Sequence, residues 1–496
     1  MKMLQLFLLF IGMGVAFSAT FDVYGIDGKH LSRFSADELT RNVIVNNTAH
    51  LSRSFVIKEV GGSSSTTQLP KGTISEERFA ISSSDFTASS EKWIEADKNE
   101  NISICLDDSS SGGWATDLNS RIESSGCLQV RTPNLAGSAK VEFWLTDSVD
   151  VYKINIAVGM KLIDLSTQRH KVGAYDEYRE KSNFVFYTDI FDSAASAKDE
   201  EANRIYSYPE RMVSVDAQYL VDKYMVTNCE FVQALWDSVP SPSAVSKMNV
   251  NNAFRRFLTM WSDRKASSKK GETCTALDSA TNYLTLHEAL LYANARSVRE
   301  GLTPVYNIEV YTDTVPKLWS DSSFAIVGES LKKGTTFKIK VTYNQESDGY
   351  RLPFYDERVI FARAGDTTGH FAWGDSQNID SAKAMAWFGD SIASEKMNWF
   401  ASIPPVGLKK PNAFGLYDMF GLAAEFALFP GENPYINRKN TPAVLMGGGI
   451  LTTTWDSTAA KNTSRQLWSL ITYSHRLYNE GGRESGFRLV RRLKKE

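Results

Sequence analysis

Cysteine is scarce in this sequence, and it ends early. The chain of 496 residues has four cysteines, and none follows Cys274. Histidine is scarce too: of the six, His287, His370 and His475 follow Cys274, and no two of these have the close spacing of a helical metal pair. After residue 274, the sequence therefore excludes a thiol nucleophile, a thiolate metal site and a helix-borne zinc site.

An excess of charge of either sign is also missing. The formal net charge is −3 with a pI near 6.2. Basic residues are interspersed with acidic ones except at the end of the chain, at Arg491, Arg492, Lys494 and Lys495. A short basic terminus is usually a solvated tail, so we expect no nucleic acid partner.

Long apolar runs are missing after the first residues. A charged start at 1–3 precedes an uncharged run at 4–17, and small residues follow at 18–20. This pattern is typical of a secretory signal peptide, and the apolar run is too short to span a bilayer. We therefore expect a signal peptide at 1–19, with an uncleaved signal anchor as the alternative. No later membrane span is expected, and the predicted location is secreted or periplasmic, in the cell envelope.

The four cysteines are candidates for disulfides, because export makes disulfides chemically permissible. Four cysteines allow three pairings. Proximity in the sequence favours Cys105 with Cys127 and Cys229 with Cys274. Four reduced, buried thiols are the alternative.

Length and patterning predict several domains, because a chain of 496 residues exceeds one ordinary core. Residues 20–67 read as an N-terminal hairpin segment and a linker rich in Gly, Ser and Thr. Short alternating runs between turn residues predict a small antiparallel domain at 68–190 that resembles a β-sandwich. The largest domain is predicted at 205–496.

Seven segments mark this C-terminal domain in order: YMVTNCEF (224–231), EGLTPVY (300–306), GYRLPFYDE (349–357), FAWGD (371–375), PVGLKKPNAFGLYDMFG (405–421), MGGG (446–449) and SGFRLVRR (485–492). Together they resemble the formylglycine-generating enzyme family, also called sulfatase-modifying factors, over about 205–494. The resemblance implies an α+β domain of the C-type-lectin-like fold, preceded here by the small antiparallel β-domain.

The chain departs from the family's motifs in three places. After Leu-Pro the family has Thr-Glu-Ala-Glu-Trp-Glu, and this chain has FYDERV at 354–359. The family's Arg-Gly-Gly-Ser-Trp is MGGGI at 446–450. In the family's Gly-Asn-x-x-Glu-Trp, the Asn, the Glu and nearby carbonyls help to hold a structural calcium ion. Here Glu425 remains as the candidate calcium ligand, but Leu422 replaces the Asn and offers no oxygen to a cation that takes six or more.

The resemblance also implies copper chemistry for which this chain lacks the ligands. In the true oxidases of the family, two cysteines before the closing Gly-Phe-Arg bind copper and activate dioxygen. Residues 451–485 of this chain contain no cysteine, and hydroxyls and His475 are poor substitutes for thiolates on copper(I). We therefore predict no catalytic and no cofactor-binding residues, and we do not expect an enzyme.

Aromatic residues are plentiful in the last third of the chain. Trp373, Trp455 and Trp468 are candidates for an exposed binding surface, with core packing as the alternative. The leading hypothesis is a non-catalytic, protein-binding or structural component of a cell-envelope assembly, since family members without the cysteines are parts of bacterial secretion and gliding machinery. A glycan-binding adhesin and an oxidoreductase with a diverged active site are the alternatives.

Overall fold

The computed structural model describes residues 20–25, 30–35, 55–60, 77–81, 91–106, 111–145, 150–172, 211–247, 261–274, 278–282, 284, 286–312, 315–318, 337–344, 346–366, 373, 379–387, 403–428, 435–436, 443–449 and 485–493. The predicted signal peptide at 1–19 and the linker at 61–67 lie outside the described residues, as do Trp455 and Trp468.

The chain divides into two compact units. The first contains residues 1–94, 99–132 and 139–156, and the second contains residues 95–98, 133–138 and 157–496.

Strands β1 to β11 belong to the N-terminal, β-rich part of the chain. They are β1 (Thr20–Gly25), β2 (His30–Ser35), β3 (Phe55–Val60), β4 (Glu77–Ile81), β5 (Glu91–Ala96), β6 (Asn101–Leu106), β7 (Ser111–Thr116), β8 (Ser120–Ile122), β9 (Leu128–Arg131), β10 (Gly137–Leu145) and β11 (Tyr152–Val158). They form sheets in the orders β2-β1-β3, β4-β6-β9-β8 and β5-β11-β10-β7.

Alternating burial of side chains is visible in β10. In β10, Val141 and Phe143 are fully buried, whereas Lys140 is exposed and Glu142 is only partly buried. Such a period of two places one face of a strand in the core and the other towards solvent. β1 and β2 pair as an antiparallel hairpin within the segment 20–67, where a hairpin is expected.

The second unit combines strands and helices. Its strands are β12 (Met160–Asp164), β13 (Arg169–Val172), β14 (Arg211–Ser214), β15 (Gln218–Asp222), β16 (Tyr306–Thr312), β17 (Val315–Leu318), β18 (Phe337–Tyr343), β19 (Ala386–Trp387), β20 (Phe420–Gly421), β21 (Ala424–Leu428), β22 (Tyr435–Ile436), β23 (Ala443–Met446), β24 (Ser485–Gly486) and β25 (Val490–Leu493). Its helices are α1 (Asn228–Ala234), α2 (Pro242–Lys247), α3 (Leu286–Arg299), α4 (Tyr355–Arg363) and α5 (Ile379–Met385).

The sheets of this unit have the orders β12-β15-β25, β13-β14, β17-β16-β18-β22, β19-β20 and β23-β21-β24. Most of their pairs are antiparallel, while β19 with β20 and β21 with β24 are parallel. Mixed helices and short sheets of this kind are the α+β class that the sequence predicts.

The predicted boundary at 190 differs from the structure. β12 pairs with β15 and β13 pairs with β14, so residues 160–172 belong to the second unit and not to the β-rich domain predicted at 68–190. The reason is that alternation identifies a strand but not its partner.

Three helices are placed by local sequence signals. Thr227 caps α1 and forms a capping box with Glu230. In α3, apolar residues at helical spacing form the buried face, at Leu286, Ala289, Leu290 and Ala293. α4 follows Pro353 and ends at Arg363, and the next residue, Ala364, caps it in the left-handed conformation, φ 53°.

The buried core of the second unit lies between α4 and its sheets. Val359, Ile360 and Phe361 of α4 pack there with side chains from several strands, including Tyr219 of β15 and Ala427 of β21. Within the part of the chain that the structure describes, no helix has the length and apolar character needed to cross a membrane.

Candidate functional site

Glu425 is the centre of the candidate site. This residue of β21 has no exposed surface and lies directly opposite Met446 of β23. Arg488 donates from Nε to Oε2 at 2.7 Å and from Nη2 to Oε1 at 2.8 Å. Arg358 of α4 donates from Nε to Oε2 at 3.2 Å and from Nη2 to Oε1 at 3.1 Å. Each guanidinium thus binds the carboxylate through two N–H groups, the strongest geometry of this pair.

The same two arginines bind main-chain carbonyls around the carboxylate. Arg358 Nη2 donates to the Met419 carbonyl at 2.6 Å. Arg488 donates from Nη2 to the Tyr417 carbonyl at 2.8 Å and from Nη1 to the Asp222 carbonyl at 3.1 Å. The cluster therefore joins α4, β15 and β21 to the loop at 417–419.

The electrostatics of the cluster keep Glu425 ionised. Burial raises the pKa of Glu425, but the charges and hydrogen bonds of Arg358 and Arg488 outweigh burial and hold this pKa below its ordinary value. Burial lowers the pKa of Arg358, and Glu425 offsets only part of that effect. Arginine still keeps its charge at physiological pH. The cluster is consequently a set of fixed charges and not an acid–base pair.

Asp418 is the titrating group next to this cluster. It is 2% exposed, and its Oδ2 accepts the Gly407 N–H at 2.7 Å. Its Oδ1 has no hydrogen-bond partner among the residues that the structure describes. Burial raises the pKa of Asp418 to about 6, against the lowering effect of the Gly407 N–H and of Arg488.

Two tyrosines form a surface near this loop. The rings of Tyr224 and Tyr417 are half-buried, with centroids 4.9 Å apart, and Lys223 Nζ lies 5.4 Å and 5.8 Å from them. Gly407 packs against Tyr224, since an added Cβ would lie 2.6 Å from its Cε1, and the neighbouring Leu408 is 51% exposed. We call Lys223, Tyr224, Leu408 and Tyr417 the tyrosine surface. Aromatic residues are enriched at protein interfaces.

The part of the chain that holds this site matches one protein family. The model of the sulfatase-modifying factor enzyme 1-like domain matches residues 186–493. The chain belongs to this family. The match begins before the start predicted at 205, and it includes Glu425, both arginines and the tyrosine surface.

Individual relatives of the sulfatase-modifying factor domain are distant. Chaperone protein LppX from Paenibacillus barcinonensis is 30% identical over 219 residues, which cover 42% of this chain and 68% of that protein. Treponema denticola variable protein 1 is a similar solved structure at 18% identity, covering 67% of this chain and 95% of that chain with a TM-score of 0.37. PvdO from Pseudomonas aeruginosa is similar at 16% identity, covering 67% and 94% with a TM-score of 0.31.

This sulfatase-modifying factor domain has both of its cysteines in a disulfide. Cys229 pairs with Cys274, and Cys105 pairs with Cys127, which leaves none of the four free. Both predicted pairings are confirmed, and the alternative of four reduced thiols is wrong. Since residues 451–485 hold no cysteine, the residues of this chain do not fit the two-thiolate copper centre that the resemblance implies.

The guanidinium groups of two arginines occupy the position predicted for calcium. Both oxygens of Glu425 already accept N–H groups from Arg358 and Arg488. Leu422, which replaces the family's asparagine, is fully buried. Among the described residues, no group of three or more His, Cys, Asp or Glu side chains is placed to hold a metal ion. A calcium ion on Glu425 stays a prediction that this geometry does not favour.

Of the three tryptophans predicted to form a binding surface, only Trp373 lies among the residues that the structure describes. Trp373 is half-buried, and its ring packs edge-on against Phe420 with centroids 5.1 Å apart, next to the core of the second unit. This position agrees with the core-packing alternative. A binding role of Trp455 and Trp468, outside the described residues, stays a prediction.

Sequence reasoning missed the two partners of Glu425 and the pairing of Tyr224 with Tyr417. The arginines are 67 and 63 residues away from Glu425 in the chain. The signal that could have found one of these partners is Arg358 itself, a charged residue in a motif that departs from the family.

Proposed function

We propose that this chain is an extracytoplasmic, non-catalytic member of the sulfatase-modifying factor family that binds a protein partner in the cell envelope. One observation carries the proposal: the matched domain contains two cysteines, and they form a disulfide. Without thiolates the domain has no ligands for the family's copper chemistry. Disulfides are also typical of proteins outside the reducing cytoplasm.

A protein partner is supported by two further observations. The relative LppX is named a chaperone, and a chaperone acts on other proteins. The tyrosine surface offers two half-buried aromatic rings and the exposed side chain of Leu408, a composition that suits a protein interface, while Lys223 is paired with Asp97 at 2.8 Å. A structural component of an envelope assembly would use the same kind of contact.

The absence of oxidase activity is tested on the purified full chain. Metal analysis and oxygen consumption with cysteine-containing peptides are expected to show neither stoichiometric copper nor turnover. Stoichiometric copper or steady oxygen uptake that depends on the peptide would overturn the non-catalytic assignment.

The interface is tested with Leu408→Asp, which places a charge on the tyrosine surface. The matched control is Val298→Asp, because Val298 is 58% exposed on α3 and Leu408 is 51% exposed. Affinity capture from an envelope extract is expected to retain a specific protein with the wild type and the control, and to lose it with Leu408→Asp. Equal capture by both variants contradicts this interface. Binding on a glycan array without any captured protein would favour the adhesin alternative.

A further inference from the structure

The donor set around Glu425 does not fit the calcium ion that the family resemblance implies at this position. Calcium takes six to eight oxygens, and the carboxylate of Glu425 is the oxygen group that remains from the family's motif. Four guanidinium N–H groups already occupy its two oxygens. A divalent cation added here would also lie beside two fixed positive charges, which repel it.

Arg358 stands where the family has a different residue. In FYDERV it takes the fifth position, at which the family's Thr-Glu-Ala-Glu-Trp-Glu has tryptophan. Its guanidinium binds both Glu425 and the Met419 carbonyl from α4. The substitution therefore places a positive charge against the carboxylate that otherwise requires a cation.

Met446 is a second departure from the family, and at this position an arginine is lost instead of gained. It lies directly across from Glu425 in the ladder of β21 and β23, and it stands where the family's Arg-Gly-Gly-Ser-Trp has arginine. Side chains directly opposite each other in an antiparallel pair share one face of the sheet. Gly447 follows, and an added Cβ there would lie 3.0 Å from Arg358 Nη2. The chain thus lacks an arginine on β23 and has one on α4, against the same carboxylate.

We infer that Arg358, together with Arg488, replaces both the calcium ion and the β23 arginine of the family as the counter-charge of Glu425, so that this domain folds without calcium. A buried carboxylate must be paired with a cation and hydrogen-bonded. A cation that is part of the chain is present at every calcium concentration. An ion that binds only the folded state instead stabilises it according to its free concentration.

The first test measures thermal unfolding of the full chain in millimolar calcium chloride and in a calcium chelator. The expected midpoints agree within about 1 °C, since a ligand that does not bind leaves the midpoint unchanged. A midpoint that falls in chelator, with the fall abolished by Glu425→Gln, overturns the inference. A calcium response that survives in Glu425→Gln arises away from this carboxylate and overturns the conclusion that the domain folds without calcium.

The second test restores the family's residues. Arg358→Trp is expected to unfold several degrees below the wild type, and adding Met446→Arg to that variant is expected to recover part of the loss. Arg358→Lys, which keeps the charge without the two-pronged geometry, is expected to lose less than Arg358→Trp. Arg492→Gln is the control, because Arg492 is exposed. Two results would contradict the inference that Arg358 replaces the β23 arginine as the counter-charge of Glu425. One is an unfolding midpoint of Arg358→Trp equal to that of the wild type, and the other is no rise in that midpoint when Met446→Arg is added.

Discussion

Glu425 keeps its charge although it is fully buried, because two arginines supply the hydrogen bonds that water gives to an exposed carboxylate. Burying an isolated carboxylate is very unfavourable, and removing one partner of a buried ion pair typically costs about 3–5 kcal/mol. Arg358 and Arg488 each supply two hydrogen bonds to it. Loss of either arginine should therefore destabilise the fold, and the cluster supplies no proton for chemistry.

Asp418 predicts how stability depends on pH. Its folded-state pKa is raised to about 6, so between the ordinary aspartate pKa of 3.8 and 6 the folded chain binds more protons than the unfolded chain. The free energy of unfolding should therefore fall as pH rises through this window, by about 3 kcal/mol from this group at 1.36 kcal/mol per pKa unit. Asp418→Asn, whose side-chain oxygen still accepts the Gly407 N–H, should remove this dependence and be more stable than the wild type at pH 7.

The measurement is urea unfolding of the wild type and Asp418→Asn across this pH window. Asp237→Asn is the matched control, since Asp237 is fully exposed and is paired with Lys270 on the surface. A constant difference in stability between the wild type and Asp418→Asn from pH 4 to 7 would show that Asp418 does not titrate near 6.

Among the elements, helix α1 shows how local and distant contacts combine at one residue. Thr227 Oγ accepts the Glu230 N–H at 3.3 Å, and Glu230 Oε2 accepts the Thr227 N–H at 3.0 Å, as a capping box requires. Glu230 Oε1 also accepts from Lys98 Nζ at 2.8 Å, a residue far away in the sequence. Lys98 and its hydrogen bond help to hold the pKa of the buried Glu230 below its ordinary value, although burial opposes this. The start of the helix is thus locked by a local motif and by a long-range ion pair.

We predict that Thr227→Ala destabilises the second unit by about 1 kcal/mol, the usual loss for an N-cap hydroxyl. Thr227→Ser keeps the hydroxyl and should lose only a small part of this. The free energy of unfolding in urea, followed by circular dichroism, provides the comparison. Equal losses for Ala and Ser would mean that the methyl group of Thr227 and not its hydroxyl is responsible.

At the scale of the whole molecule, each of the two units contains one disulfide. The pairs Cys105–Cys127 and Cys229–Cys274 close loops with sequence separations of 22 and 45 residues. In the chain-entropy model, a disulfide that closes a loop of this size lowers the entropy of the unfolded chain and thereby stabilises the folded state by about 3–4 kcal/mol. Both units are therefore suited to an oxidising compartment, where the bonds persist.

The disulfides predict the outcome of thiol labelling on the full chain. Denatured but unreduced protein should take up no maleimide, and protein reduced first should take up four, one for each cysteine. Mass spectrometry counts the added groups. Uptake without reduction would contradict the paired state and, with it, the argument against thiol chemistry.

Sequence patterns predicted elements better than they predicted partners. The buried face of α3, from Leu286 to Ala293, has the helical spacing of apolar residues, a pattern that depends only on neighbouring residues. The assignment of β12 and β13 differed from the structure, because a strand pattern contains no information on which distant strand completes the sheet.

The sequence by itself determined the family, from turn and glycine motifs that the backbone needs locally, and it determined that no cysteine follows Cys274. Only the tertiary structure decided what neutralises Glu425. Arg358 and Arg488 lie 67 and 63 residues from it, and they meet only when α4 and the segment after β24 pack against β21. A buried charge takes its partners from whatever the fold brings within hydrogen-bonding distance, and that distance is a property of the packed chain.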